Sequence, residues 1–186
     1  MCNKLKVVGF ALLAISGCAF GDREVDLMPM PGRVEMLEYD KRGPVEVSMP
    51  VFEDARTGDK SVVGRARCLL GIPTAKVVDK KPVATWIWAS LVGRLAEKVV
   101  RLKDGSDIVL SGRILETDCD SYLLYWSRIT VEVTIRRKGQ VVFREALTTT
   151  HRPIGWTGSS DEYQEVLQQN LRDWLDEHAP RIVEIS

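Results

Sequence analysis

Hydrophobic and polar positions along the chain change period several times, and each change marks an element. Val7 to Ile15 is an apolar run preceded by Lys4 and Lys6. From Val45 to Phe52 apolar and polar residues alternate, which predicts a strand whose end Pro50 turns into an edge or bulge. Ser61 to Leu69 reads as a second, weaker strand, broken at Gly71-Ile72-Pro73, with a brief extended piece at Val77-Val78. Pro82 suits the first position of a helix, and Ile87, Trp88, Leu91, Val92, Leu95 and Val99 supply its apolar stripe up to the Asp104-Gly105 turn. Ile108 to Leu115 predicts a strand, followed by an acidic turn at Glu116 to Asp120. Ile129, Val131, Val133 and Ile135 alternate with Arg128, Thr130, Glu132, Thr134 and Arg136 in a long strand from Tyr122 to Arg137. One face of that strand is buried and the other wet. Lys138-Gly139 is a hairpin turn, and Gln140 to Thr149 returns. Ser159 and Glu162 form a capping box that opens a final helix. Its stripe is Tyr163, Val166, Leu167, Leu171, Trp174 and Leu175, and it is expected to stop near His178-Ala179-Pro180. The order ββαβββα predicts an α+β domain, two helices packed on an antiparallel-rich mixed sheet.

The ends of the first run decide where this domain works. Positive charge, about nine apolar residues and then Ile15-Ser16-Gly17-Cys18 follow in order. The run suits an export signal and is too short to span a bilayer, which takes about 20 apolar residues. Its end resembles the bacterial lipobox, in which small residues admit the chain to a peptidase and the thiol carries the diacylglycerol. Residues 1–17 are therefore read as a lipoprotein signal peptide, 18–43 as the lipidated Cys18 and an extended, proline-bearing tether, and 44–186 as one domain. Several acyl chains give stable anchoring where one does not. Ala19 after the cysteine favours the outer membrane over the inner, with the domain in the periplasm.

Without residues 1–17 the chain keeps 24 basic and 26 acidic residues, a net charge of about −2. That offers no bulk attraction to nucleic acid. Cys2 leaves with the signal and Cys18 takes the lipid, so Cys68 and Cys119 remain in an oxidising compartment. A disulfide between them and two separate buried thiols both stay open, since spacing does not fix geometry. No zinc spacing, phosphate loop or nucleophile elbow occurs, and no metal or cofactor is expected.

Asp54 and Arg56 follow a strand end and are candidates for a partner contact or for a local ion pair fixing the turn before Gly58. Asp118 and Asp120 would share a face in an extended chain, but too few oxygens accompany them for a calcium loop. His151 lies before a loop and His178 in what reads as a last helical turn, where a cation is favoured. Trp86 projects roughly 200° from Trp88 and is a candidate hot spot on the helix flank. The Gly/Pro segment from Arg152 to Gly158 displays Ile154 and Trp156 and is the other candidate docking surface.

Two short pieces resemble a known family. Val51-Phe52-Glu53-Asp54-Ala55-Arg56 resembles the strand-then-Asp-x-Arg start of YajG-type envelope lipoproteins, and Leu110-Ser111-Gly112-Arg113-Ile114 their glycine-bearing strand. The order of elements over about 45–178 is similar too. LpoB-type activators of cell-wall synthases and the N-terminal domain of TolB share this architecture. The resemblance implies an outer-membrane-anchored, non-enzymatic binding module with an envelope protein as partner. The lipoproteins of lipid-trafficking ABC systems offer a comparable element order, and imply handling of a lipid or cell-wall ligand instead. The segment 69–82 is long for the first family.

Overall fold

A computed structural model describes residues 21–30, 45–67, 71–97, 100–122, 125–153 and 159–185. The signal segment, Cys18, Cys68, Ile154 and Trp156 lie outside the described residues.

The fold is α+β, with two helices packed on a mostly antiparallel mixed sheet, and the major elements follow the expected order. Nine strands and two helices are described: β1 (Arg23–Val25), β2 (Val45–Val47), β3 (Glu53–Asp54), β4 (Val62–Arg67), β5 (Pro73–Asp79), α1 (Val83–Ala96), β6 (Val100–Leu102), β7 (Ile108–Asp120), β8 (Trp126–Arg137), β9 (Gln140–His151) and α2 (Ser160–Ile185). The main sheet runs β1-β5-β4-β7-β8-β9, with β3 also on β7, and β2 and β6 form a small parallel pair.

The β7-β8-β9 meander is the frame. Ser127, Ile129, Val131, Val133 and Ile135 are buried on one face of β8, as the alternation requires. Lys138 and Gly139 both have positive φ, 50° and 81°, which is the twist-matched two-residue hairpin turn. The capping box is present: the Glu162 amide donates to Ser159 Oγ at 3.3 Å, and the Ser159 amide to Glu162 Oε2 at 3.3 Å.

Four features depart from the sequence reading. Residues 21–30 are part of the domain and not a free tether. β1 pairs in parallel with β5, with Arg23 beside Val77, and Val25 and Leu27 are buried. The strap then crosses α1: Trp86 Nε1 donates to the Met28 carbonyl at 3.1 Å, and the Met30 amide to Ser90 Oγ at 3.1 Å. That strap explains the second departure. Trp86 is 1% exposed, so it is not a surface hot spot, while Trp88 packs at the flank with its indole on the Met49 carbonyl. α1 is covered on two sides, and its buried face is rotated from the stripe that assumes a single covering sheet.

The third departure is at Asp118 and Asp120, which lie within β7 and not in a turn, because β8 pairs with β7 as far as Asp120–Trp126. The fourth is α2, which continues through Pro180 to Ile185. Pro180 removes one backbone hydrogen bond. Burial of Ala179 and Ile182 against the sheet offsets that loss. His178 is consequently not in a last turn. It is buried edge-on to Trp174, and burial pushes its imidazole below the usual value, towards the neutral form.

Candidate functional site

The long β7 is flanked on one side by two strands that do not meet. β3 pairs with it at Arg113 and Ile114, and β4 reaches it at Asp120. Between them the stretch Leu115 to Asp118 borders an open groove of about 740 Å³. A register shift after Ile114 bends β7 here, as bulges do beside functional sites. The other walls are the Arg56–Asp59 turn, Val62 and Arg65 of β4, Pro73–Lys76 of β5, and Asp22.

Most polar groups of this groove are committed to the protein. Arg56 is buried and grips Asp54 through Nε and Nη2, at 2.9 and 2.8 Å, while Nη1 donates to the Val62 carbonyl at 2.8 Å. Burial raises the Asp54 carboxyl, but the hydrogen bonds and charge of Arg56, helped by Lys60, outweigh it and hold the carboxyl below its usual range. Asp54 and Arg56 therefore form the ion pair that closes the β3–β4 turn. Asp59 accepts from Ser61, and Asp22 from the Lys76 amide. Glu116 accepts from Thr130 and lies 3.8 Å from Arg128.

Asp118 differs. It is half-buried, and among the described residues nothing hydrogen-bonds or ion-pairs with its carboxylate. Burial raises its pKa, the charge of Arg65 opposes this, Asp120 and Glu116 add to it, and Arg67 opposes it; the net result is a rise from 3.8 to about 6. The folded chain thus holds this proton more tightly than the unfolded chain, so stability falls as pH rises from about 4 to about 6. Asp118→Asn is expected to raise stability above pH ~7 by on the order of 1 kcal/mol once solvent screening is allowed for, and to change little below pH ~4. Thermal midpoints of both proteins across pH check this, and a gain that does not depend on pH contradicts it. A half-buried carboxylate with a raised pKa in an open groove is a candidate for a functional site.

The remaining candidates fall into structural roles. Cys119 is a free, buried thiol, and its possible disulfide partner Cys68 lies outside the described residues. Burial pushes this thiol well above its usual value, and the charges of Asp118 and Asp120 add to the effect, which leaves no nucleophile. Its sulfur sits against Gly64, where an added Cβ would lie 2.2 Å from it. His151 ends β9 with Nδ1 2.7 Å from Asp173 Oδ2, and Gln169 donates to the other oxygen of Asp173 at 2.9 Å. In the sheet register Ser127 stands between Cys119 and His151. His151 instead borders a smaller pocket of about 210 Å³ with Tyr125, Pro153, Glu162, Glu165, Val166 and Gln169. Pro153 lines this pocket, and Ile154 and Trp156, which follow it in the sequence, lie outside the described residues. Among the described residues no cluster of His, Cys, Asp or Glu is arranged to hold a metal ion, and no helix is long and apolar enough to cross a membrane.

The groove was not legible in the chain. It arises because β3 and β4 stop at different points along β7, a matter of long-range register. The one sequence signal was the spacing of Asp118 and Asp120 on one face.

No protein-family model and no curated protein matches the sequence. Solved structures share its fold. A protein from Xanthomonas campestris of the DUF330 family superimposes with a TM-score of 0.62 at 13% identity, over 87% of this chain and 95% of that one. An uncharacterized protein gives 0.53 at 18% identity, over 89% and 99%. A hypothetical protein from Chlamydia trachomatis gives 0.50 at 10% identity, over 74% and 96%. At such identities the likeness establishes the fold and no activity; the fold it establishes is consistent with the YajG-type resemblance.

Proposed function

We propose that this chain is a non-enzymatic accessory lipoprotein of the bacterial cell envelope, held by lipid on Cys18 and acting by docking its domain on an envelope protein. The observation that carries this reading is the Lys4-to-Cys18 segment, where charge, an apolar run and the Ile15-Ser16-Gly17-Cys18 end occur together. The outer membrane, with the domain in the periplasm, follows from Ala19. Tethering raises the local concentration of the domain near partners in the same compartment. The domain supports a binding role through its exposed sheet face and open groove, while its Cys119 thiol and His151 imidazole are held apart in structural contacts.

A second reading is favoured by the groove: the chain handles a lipid or cell-wall ligand as the auxiliary lipoprotein of an envelope transport system. Docking is tested by placing a photo-crosslinking amino acid at Trp156 in living cells. Capture of one envelope protein is expected, together with a loss of about thirtyfold in affinity for it in Trp156→Ala at unchanged stability. Large destabilisation of that variant would assign the tryptophan to the core, and no capture would remove the Arg152–Gly158 segment as the docking surface.

A further inference from the structure

The strap brings a thioether to the surface at the point where it crosses α1. Among the described methionines Met49 is buried in the core, Met30 is half-buried and Met28 is 52% exposed. The Met28 carbonyl takes the Trp86 indole N–H at 3.1 Å. To either side, the Leu27 amide donates to Asp79 Oδ2 at 3.3 Å and the Met30 amide to Ser90 Oγ at 3.1 Å. These bonds, three parallel pairs with β5 and the buried Val25 and Leu27 hold the strap in place.

The Met28 side chain meets a cation there. Lys81, one residue before Pro82 at the start of α1, donates from Nζ to Met28 Sδ at 2.8 Å and ion-pairs with Asp26. Lys80 beside it pairs with Glu24 at 2.9 Å, so two lysines of the β5–α1 turn clasp the strap. A thioether sulfur is a weak acceptor, which makes the Met28 contact the weak member of this clasp. Oxidation turns that sulfur into a polar sulfoxide, whose oxygen is a far better acceptor for an ammonium.

We propose that Met28 is a peroxide-oxidisable modification site, and that its sulfoxide, received by the Lys81 ammonium, tightens the strap on α1. A sulfur lone pair attacks one oxygen of hydrogen peroxide, the S–O bond forms and the O–O bond breaks. The departing hydroxide takes the proton of the transferred oxygen and leaves as water. Sulfur is oxidised by two electrons and the peroxide is reduced, so no other reagent is needed. Exposure serves both halves of the device: peroxide reaches Met28 from solvent, and the sulfoxide stays in water. At Met49 the same oxygen would enter the core as a buried polar group. The Lys81 side chain is half-exposed on a flexible stem, and it moves back to admit the oxygen. The site does not depend on a lipid at Cys18 or on the docking partner.

The full chain is treated with graded hydrogen peroxide, and sulfoxide at each methionine is followed by peptide mass spectrometry. Met28 is expected to oxidise before Met30 and Met49. Hydrogen–deuterium exchange of the Leu27 and Met30 amides is then compared before and after treatment. Exchange about threefold slower is expected in the oxidised protein, the effect of one added contact between exposed groups. Lys81→Ala and Met28→Leu are each expected to abolish this slowing, the first while Met28 still oxidises. Oxidation of Met30 or Met49 as early as Met28 overturns the proposal. So does exchange that is unchanged or faster in the oxidised chain, or slowing that persists in either variant.

Discussion

Trp174→Ala is expected to lower the unfolding free energy by about 3–5 kcal/mol. Trp174 is fully buried where α2 crosses the sheet, and its Nε1 donates to the Leu147 carbonyl of β9 at 3.1 Å. The indole also packs edge-on against His178, with ring centres 5.3 Å apart. Truncation removes one of the largest side chains of the core, leaves a cavity between Leu147, Leu171 and His178, and strips the Leu147 carbonyl of its indole donor. Leu171, also fully buried on the same helix, is expected to cost about 2–5 kcal/mol as alanine. Chemical denaturation followed by far-ultraviolet circular dichroism measures both. A Trp174→Ala midpoint within experimental error of the parent would mean that α2 does not seal the sheet.

Cys18→Ser is expected to abolish lipid attachment completely. The diacylglycerol is carried on a thiol, and a serine hydroxyl at this position offers no thiolate. Processing follows lipidation, so the variant keeps residues 1–17 and runs as the longer precursor. On the proposed reading, a mature protein with several acyl chains is expected to be held in the membrane stably, since each buried methylene contributes about 0.8 kcal/mol. The variant keeps only the short apolar run of its uncleaved signal. Palmitate labelling of growing cells, followed by fractionation of the membranes, reads both effects. Label retained in the variant, or processing at the normal size, contradicts the lipobox reading.

What the chain discloses about its own fold depends on how local each instruction is. The β8–β9 hairpin was legible because alternation and a Lys138-Gly139 turn act over neighbouring residues. The start of α2 was legible because a capping box spans a single turn. β1 was not, since three residues between a glycine-aspartate step and Met28-Pro29 carry no period; pairing with β5 and the cover over Trp86 hold it. The exchange of roles between Trp86 and Trp88 follows from the same strap. Pro180 gave a local stop signal that buried Ala179 and Ile182 override. Asp54 and Arg56 were visible as a pair, and the structure assigns them to the turn. Asp118 was visible only as part of an acidic stretch, because the space beside it is made by strands that lie more than 50 residues apart in sequence.

The site also shows why stability and binding separate in this domain. The walls of the groove are fixed by Arg56, whose donors are committed, whereas the partly buried Asp118 carboxylate has no hydrogen bond or ion pair among the described residues. A chain selected for stability alone gains by replacing that carboxylate.

The central claim is that the mature chain begins at a lipid-bearing Cys18 and is held at the membrane by it. Mass spectrometry of the N-terminal tryptic peptide, from protein recovered out of envelopes, tests this directly. The account predicts a peptide that begins at Cys18, ends at Arg23 and carries acyl chains on its first residue. A peptide that extends upstream through Ile15, Ser16 and Gly17, or one with an unmodified Cys18 thiol, would contradict it.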